Sequence, residues 1–410
     1  MALQIVATRP DPALLSLPWH QPLEEWDDEL LIPLPRGISR HVVRFVRVPD
    51  AVYAAKETRE AMAHTEYRLL RDMRDLDLPA VEPVGVVTGR VDSNGETLEP
   101  VLLTRHLAFS MPYRAMFSRH LRPDTVIRLI DALVVLLNRL HLAGFHWGDC
   151  SLSNTLFRPS AGAFAAYLVD AETGELHHQL SRGQRAYDIE IAVGNVFGEI
   201  LDLQAGGYVE ESLDPHETVE RLETRYDALW AELTEAEEFH TGEMWRIEQR
   251  IRRLVDLGFD VDELDIVTDW DGATVRIQPK VVDAGHHSRR LQALAGLDVE
   301  ENQARRLLND LDAYAAAHNL QQENEQVVAH RWLTTVFEPV MSMVPPHLRG
   351  KLEPAEIFHE ILEHRWYLSE EAQREIDIFE VAKSYVDTQL TARPDTEVTP
   401  PPPDEEHLLL

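Results

Sequence analysis

The chain has 410 residues, room for two domains at about 100–200 residues each. It carries 71 Asp and Glu against 39 Lys and Arg, a formal net charge of −32. Such a surface repels phosphate backbones and argues against general nucleic-acid binding. The one cysteine, Cys150, excludes an internal disulfide and a cysteine zinc cluster, which fits a reducing cytoplasm.

The first 30 residues scatter Pro, Trp and acids without a period, and they read as an N-terminal extension with no signal peptide. His41–Val48 and Val52–Lys56 are rich in β-branched and aromatic residues and predict paired strands. A helix follows over Glu60–Asp75, with Met62, Tyr67, Leu69, Leu70 and Met73 on its apolar face. Strands are predicted over Val84–Thr88 and Pro100–Thr104. A long helix covers Thr125–Ala143, and Gly144 closes it. Its apolar stretch, Leu129 to Leu142, is broken by Asp131, Asn138 and Arg139. It falls short of the ~20 apolar residues that span a bilayer, so it reads as a buried core helix in a soluble, cytoplasmic protein. A short strand pair, Thr155–Phe157 and Ala166–Val169, and a helix over Ala186–Leu203 complete this half.

The rest is mainly helical. Helices are predicted over His216–Glu237, Gly242–Leu257, His287–Leu294, Val299–His318, Val327–Met343, Pro354–Trp366 and Glu370–Leu390. One hairpin interrupts them, Leu264–Thr268 and Thr274–Val282, turning at Asp271-Gly272. The tail from Arg393 holds four consecutive prolines and several acids, a composition that predicts disorder.

The chemistry concentrates in His146-Trp-Gly-Asp149-Cys-Ser-Leu-Ser-Asn154, followed by an apolar strand ending at Asp170-Ala-Glu172. Phosphoryl transfer needs a group to orient the attacking hydroxyl and oxygen ligands for a metal that neutralises phosphate charge. Asp149 on a loop can serve the acceptor. Asn154 and Asp170, at strand edges, can converge on Mg2+. Upstream, Lys56 ends a strand after two alanines, and Glu66 lies ten residues on within the next helix. A Lys56–Glu66 pair would hold the ammonium against nucleotide phosphates, although Glu57 and Glu60 are also near.

In this order of parts the sequence resembles the protein-kinase-like superfamily, in the atypical branch that includes lipopolysaccharide kinases, RIO-type kinases and aminoglycoside phosphotransferases. The resemblance covers roughly residues 31–203. It implies Asp149 as the catalytic aspartate, Asn154 and Asp170 as metal ligands, Lys56 as the phosphate-binding lysine and Glu66 as its partner. It further implies that Asp188 braces the catalytic loop and that Thr104 to Leu107 form the hinge meeting adenine. ATP and Mg2+ are the implied cofactors. The departures are specific. No Gly-x-Gly-x-x-Gly loop exists, and Gly37 alone is available to cover phosphates. Trp147 is inserted between His146 and the Gly148-Asp149 pair. Asp170-Ala-Glu172 stands where the family has Asp-Phe-Gly. The short stretch from Asp170 to Asp188 leaves little room to dock a peptide. It favours a small-molecule, glycan or lipid acceptor.

The fold class expected is α+β: a bilobal kinase-like domain over 31–208, then a mainly helical domain with one β-hairpin over 209–392. That second domain resembles an uncharacterised actinobacterial family and either shapes the acceptor site or binds a protein partner. Three rival readings stand beside the kinase. One is a pseudokinase or nucleotide-sensing scaffold. Another is a nucleic-acid module using Arg289, Arg290, Arg305 and Arg306. The third is AMP transfer by the same fold. Other features read as structural. Cys150 is a packing residue, and His146 is a hydrogen-bonding one. His359-Glu-Ile-Leu-Glu363-His364 lacks the His at i and i+4 that zinc needs. Trp332, Trp366 and Tyr367 are expected in a helical core. Glu172 could add a metal contact or simply pair locally.

Overall fold

A computed structural model of the chain describes residues 2–8, 11–34, 41–49, 51–117, 123–210, 212–240, 243, 245–268 and 274–393. Gly37, the turn at Asp271-Gly272 and the proline-rich tail beyond Arg393 lie outside the described residues. The described chain divides into two compact units, one of residues 2–158 and 166–226, the other of residues 159–165 and 227–393.

In the first unit, β1 (Gln4–Ala7), β2 (Val43–Val48), β3 (Ala51–Glu57), β4 (Pro83–Thr88) and β5 (Val101–Arg105) form an antiparallel sheet in the order β1-β4-β5-β3-β2. Helix α1 (Glu60–Asp75) packs on β4 and β5 and buries Leu69, Leu70 and Met73. Strand β4 is buried at all six positions, and its run of valines suits a strand covered on both faces. The register sets Lys56 of β3 opposite Val43 and Leu102.

The N-terminal segment is part of this core, not an extension of it. Strand β1 pairs with β4, Gln4 opposite Thr88. Gly85 permits this approach, because a Cβ there would meet the Val6 carbonyl at 2.5 Å. Leu14, Leu17, Trp19, Leu23 and Trp26 join Val46, Tyr53, Val87 and Leu103 in one apolar cluster. Arg90, 1% exposed, fastens the segment by donating to the Trp19 and Gln21 carbonyls while pairing with Glu57 at 2.9 Å. These apolar residues sit in loops and 3-10 turns, so they carry no period of 2 or 3.6 for sequence reasoning to detect.

The remainder of this unit contains β6 (Met111–Pro112), α2 (Tyr113–Phe117), α3 (Pro123–Leu142), β7 (Phe145–His146), β8 (Thr155–Ser160), β9 (Ala163–Leu168), β10 (Glu175–Leu176) and α4 (Arg182–Ala205). Helix α3 buries Leu129, Ile130, Leu133, Leu137 and Leu140, as expected for a core helix. Gly144 ends it at φ +83°, where a Cβ would sit 2.1 Å from the His177 carbonyl. Ser181 caps α4 through a reciprocal box with Gln184. The division between units falls within α5 (Pro215–Thr234), and the tip of the β8–β9 hairpin, residues 159–165, is counted with the second unit.

The second unit contains β11 (Glu237–His240), α6 (Trp245–Asp256), β12 (Phe259–Thr268), β13 (Thr274–Ala284), α7 (His286–Ala295), α8 (Glu301–Ala317), α9 (Glu325–Trp332), α10 (Glu338–Ser342), α11 (Pro354–Ala372) and α12 (Ile378–Tyr385). The expected hairpin, β12 with β13, gains β11 as a third strand. The continuous helix expected over Val327–Met343 is broken by a π turn at Leu333–Phe337. Pro339 comes just after it, beyond Glu338, and a proline lacks the N–H that an unbroken α-helix would need there. The helix expected over Glu370–Leu390 does not form as one piece. Helix α11 ends at Gln373 in the left-handed region (φ +52°), and Asp377 caps a fresh start at α12.

The core here is Trp332, Phe337, Phe358, Leu307 and Val381 with their neighbours. Trp332 lies in it as expected, but Trp366 and Tyr367 do not: they are 58% and 62% exposed. The buried stripe of α11 runs through Phe358, Ile361 and Leu362 toward Leu368. That stripe turns Tyr367 to the opposite face and Trp366 to its margin. Among the described residues, no helix is long and apolar enough to cross a membrane.

Candidate functional site

Strand β3, helix α1 and the end of β9 bring four charged groups together. The Lys56 ammonium donates to Glu66 Oε2 and to Asp170 Oδ2, both at 3.0 Å, and lies 3.6 Å from Glu172 Oε2. Burial works against the lysine's charge, yet the Glu66 and Asp170 carboxylates outweigh it and raise its pKa. Burial pushes Glu66 up to about 7, with Asp170 adding and Lys56 opposing. Glu66 itself is 1% exposed. Of the nearby acids, Glu57 is committed elsewhere, to Arg90 and the Leu23 N–H, which leaves Glu66 as the partner of Lys56. Glu66, Asp170 and Glu172 could together cage a cation, but the Lys56 ammonium already lies within reach of all three. Glu172 also contacts His41 at 3.0 Å.

The second group is the loop after β7. Asp188, in the first turns of α4 and fully buried, accepts from the Trp147 N–H (2.8 Å) and the Gly148 N–H (2.7 Å). It also contacts His141 Nε2 at 3.1 Å and His146 Nε2 at 3.4 Å. Burial alone would raise the Asp188 pKa, but the hydrogen bonds from His141, Trp147 and Gly148 bring it below the ordinary value. The inserted Trp147 is fully buried, and its indole N–H donates to the Asp170 carbonyl at 3.1 Å. The departure from the family pattern thus ties the loop to the end of the following strand. Cys150 is fully buried, and burial drives its thiol well above the ordinary value, consistent with packing.

Asn154 donates its side-chain amide to Asp149 Oδ2 and to the Asp149 carbonyl, each at 3.0 Å. Its side-chain oxygen makes no such contact with Asp149. Asp170 Oδ1 accepts the Glu172 N–H at 3.0 Å. Asp149, Asn154 and Asp170 line one cleft of about 840 Å3 with Lys56. Two oxygen-bearing side chains facing the same cleft suit a hard cation that keeps several waters and binds substrate phosphates, so the donor set fits Mg2+.

Thr104 and Leu107 lie on the cleft wall with His106. His106 stacks edge-on to Phe45 at 5.4 Å, and burial lowers its pKa to about 4, so a neutral ring faces the cleft. The geometry therefore brings Lys56, Glu66, Asp149, Asn154, Asp170, Thr104 and Leu107 into one region of the first unit. Sequence reasoning did not find Asn195 and Glu199 of α4, which line the same cleft. Their signal was available, since they stand seven and eleven residues after Asp188, close to two and three helical turns on the same face.

In the second unit, three of the four arginines singled out in the sequence are engaged locally. Arg290 pairs with Glu325, Arg289 donates to the Ala284 carbonyl, and Arg305 donates to the Asp256 carbonyl. His359 is buried 3.6 Å from Glu363, while His364 contacts Ser384, so the two histidines do not converge.

Comparison with known proteins gives two family matches. Residues 47–190 match the lipopolysaccharide kinase (Kdo/WaaP) family, and residues 228–390 match a domain of unknown function. A solved structure, WaaP in complex with acyl carrier protein, aligns at 15% identity over 56% of this chain and 90% of that chain, with a TM-score of 0.34. No curated protein matches the chain. The first family match supports a kinase-type phosphotransferase in the N-terminal half.

Proposed function

We propose that the N-terminal unit is an ATP- and Mg2+-dependent phosphotransferase acting on a hydroxyl of a glycan, lipid or small-molecule acceptor. The observation that carries this reading is Lys56, held between Glu66 and Asp170 in the same cleft as the Asp149–Asn154 loop. Lys56 would turn from Asp170 to the nucleotide phosphates while Glu66 keeps it in place. Asp149 would orient the acceptor hydroxyl and take its proton on a carboxylate oxygen. Mg2+ held by Asn154 and Asp170 would neutralise charge on the phosphate oxygens. The Thr104–Leu107 segment would meet the adenine.

The acceptor class rests on two supports. The matched family is described by lipopolysaccharide kinases. The stretch from Asp170 to the start of α4 at Arg182 is short, which leaves little chain for docking a peptide. The test is calorimetry of ATP with and without Mg2+ on wild type and Asp170→Ala. Mg2+-dependent binding that the variant loses is expected. Folded wild-type protein that binds no nucleotide sinks the proposal.

A further inference from the structure

Three side chains on one face of α4 hold three successive pieces of the catalytic loop. Asp188 takes the Trp147 and Gly148 amides. One step further along, Asn195 donates its amide to the Cys150 carbonyl at 3.0 Å and lies 3.4 Å from Asp149 Oδ1. Last, Glu199 accepts from the Leu152 N–H (2.9 Å), the Ser153 N–H (2.8 Å) and the Ser153 hydroxyl (2.5 Å). The loop lies along the helix like a strap with three fastenings, at spacings of seven and four residues that keep one helical face.

The Asp149 carboxylate is consequently contacted from two sides, by Asn154 on Oδ2 and Asn195 on Oδ1. Two amide donors fix the plane of a carboxylate that must point one oxygen at an incoming hydroxyl. Glu199 makes a more committed bond set. Burial raises its pKa, and the three donors from the loop oppose that rise. A partly buried carboxylate held by three donors resists displacement, because leaving it unmatched costs a full desolvation penalty.

We infer that Asn195 and Glu199 are positioning residues for phosphoryl transfer: they set the orientation of Asp149 and the path of residues 150–153. This rests on the kinase reading above. Misplacing a reacting group by about 1 Å can cost on the order of 100-fold in rate, and such a loss should leave nucleotide affinity unaltered.

The experiment compares wild type, Asn195→Ala, Asn195→Asp and Glu199→Gln as full-length proteins. Three quantities are read: Mg-ATP affinity by calorimetry, exchange of the 147–154 amides by mass spectrometry, and phosphate transferred from Mg-ATP to water or to the protein itself. Expected are affinities within about two-fold of wild type, faster exchange confined to the loop, and transfer lowered roughly 10- to 100-fold. Asn195→Asp puts a second carboxylate beside Asp149 in place of a donor, so its loss should be the larger at the Asn195 position. Unchanged loop exchange, or a loosened loop with unchanged transfer, overturns the inference while leaving the kinase reading standing. Wild type that binds no Mg-ATP overturns the kinase reading even if the loop exchange behaves as expected. Wild type that binds but transfers nothing overturns both.

Discussion

The two units bury charge for opposite ends. In the first, Lys56 lines a cleft with its partner Glu66 buried behind it, so that ion pair faces the space a ligand would enter. In the second, Glu356 is equally buried, but it receives the Ala161 N–H and the Gln303 amide at 2.9 Å each. That set is closed: the donors are a backbone group and a fully buried side chain. Buried polarity that faces an opening is machinery, and buried polarity matched internally is architecture. The same residue type serves either, and its surroundings decide which.

The largest test of this contrast is Asp149→Ala. Transfer should fall on the order of 1,000-fold, with Mg-ATP affinity by calorimetry close to wild type. A matched loss of affinity would mean that Asp149 holds nucleotide and does not serve the acceptor. On the architectural side, Trp332→Ala removes a fully buried indole and should destabilise the second unit by about 3–5 kcal/mol. The change should be seen by calorimetric scanning as a lowered transition, with Mg-ATP affinity unaltered. If nucleotide binding fell too, the two units could not be treated as separate.

A smaller effect concerns Glu66. It gains a proton as pH falls through about 7, and a neutral Glu66 no longer forms an ion pair with Lys56. Mg-ATP affinity in wild type should therefore weaken several-fold on going from pH 8 to pH 6. In Glu66→Gln that part of the pH dependence should vanish, leaving only the titration of ATP itself. The raised value has a stability sign as well. A carboxyl whose folded pKa lies above its unfolded one contributes most below the unfolded pKa, and that contribution fades as pH rises toward about 7. The smallest effect should be at Trp366 and Tyr367. Alanine at either exposed position should change stability by no more than about 0.5 kcal/mol, and a drop of several kcal/mol in thermal unfolding would restore them to the core.

The arrangement of Lys56, Glu66, Asp149, Asn154 and Asp170 could be read from sequence because each belongs to a local pattern: a strand ending in lysine, a helix, a loop between buried elements. Asn195 and Glu199 share a helical face with Asp188, but that spacing names no role for them until the loop that they touch is in view. Trp366 and Tyr367 were misread because aromatic identity was weighed above helical phase. The π turn before Pro339 and the break at Gln373 depend on one or two residues inside otherwise periodic segments, where the periodic signal hides them.

The N-terminal segment carries a practical consequence. The family match begins at residue 47, and the first clear strand pattern begins at His41. A protein shortened to either boundary would lose β1, which pairs with β4, and the Trp19–Trp26 pair, whose rings meet edge-on at 5.3 Å. It would also leave Arg90 with a buried guanidinium and two of its carbonyl acceptors gone. Insolubility of such a fragment would then report a wrongly drawn edge and would say nothing about whether the lobe can fold or bind nucleotide.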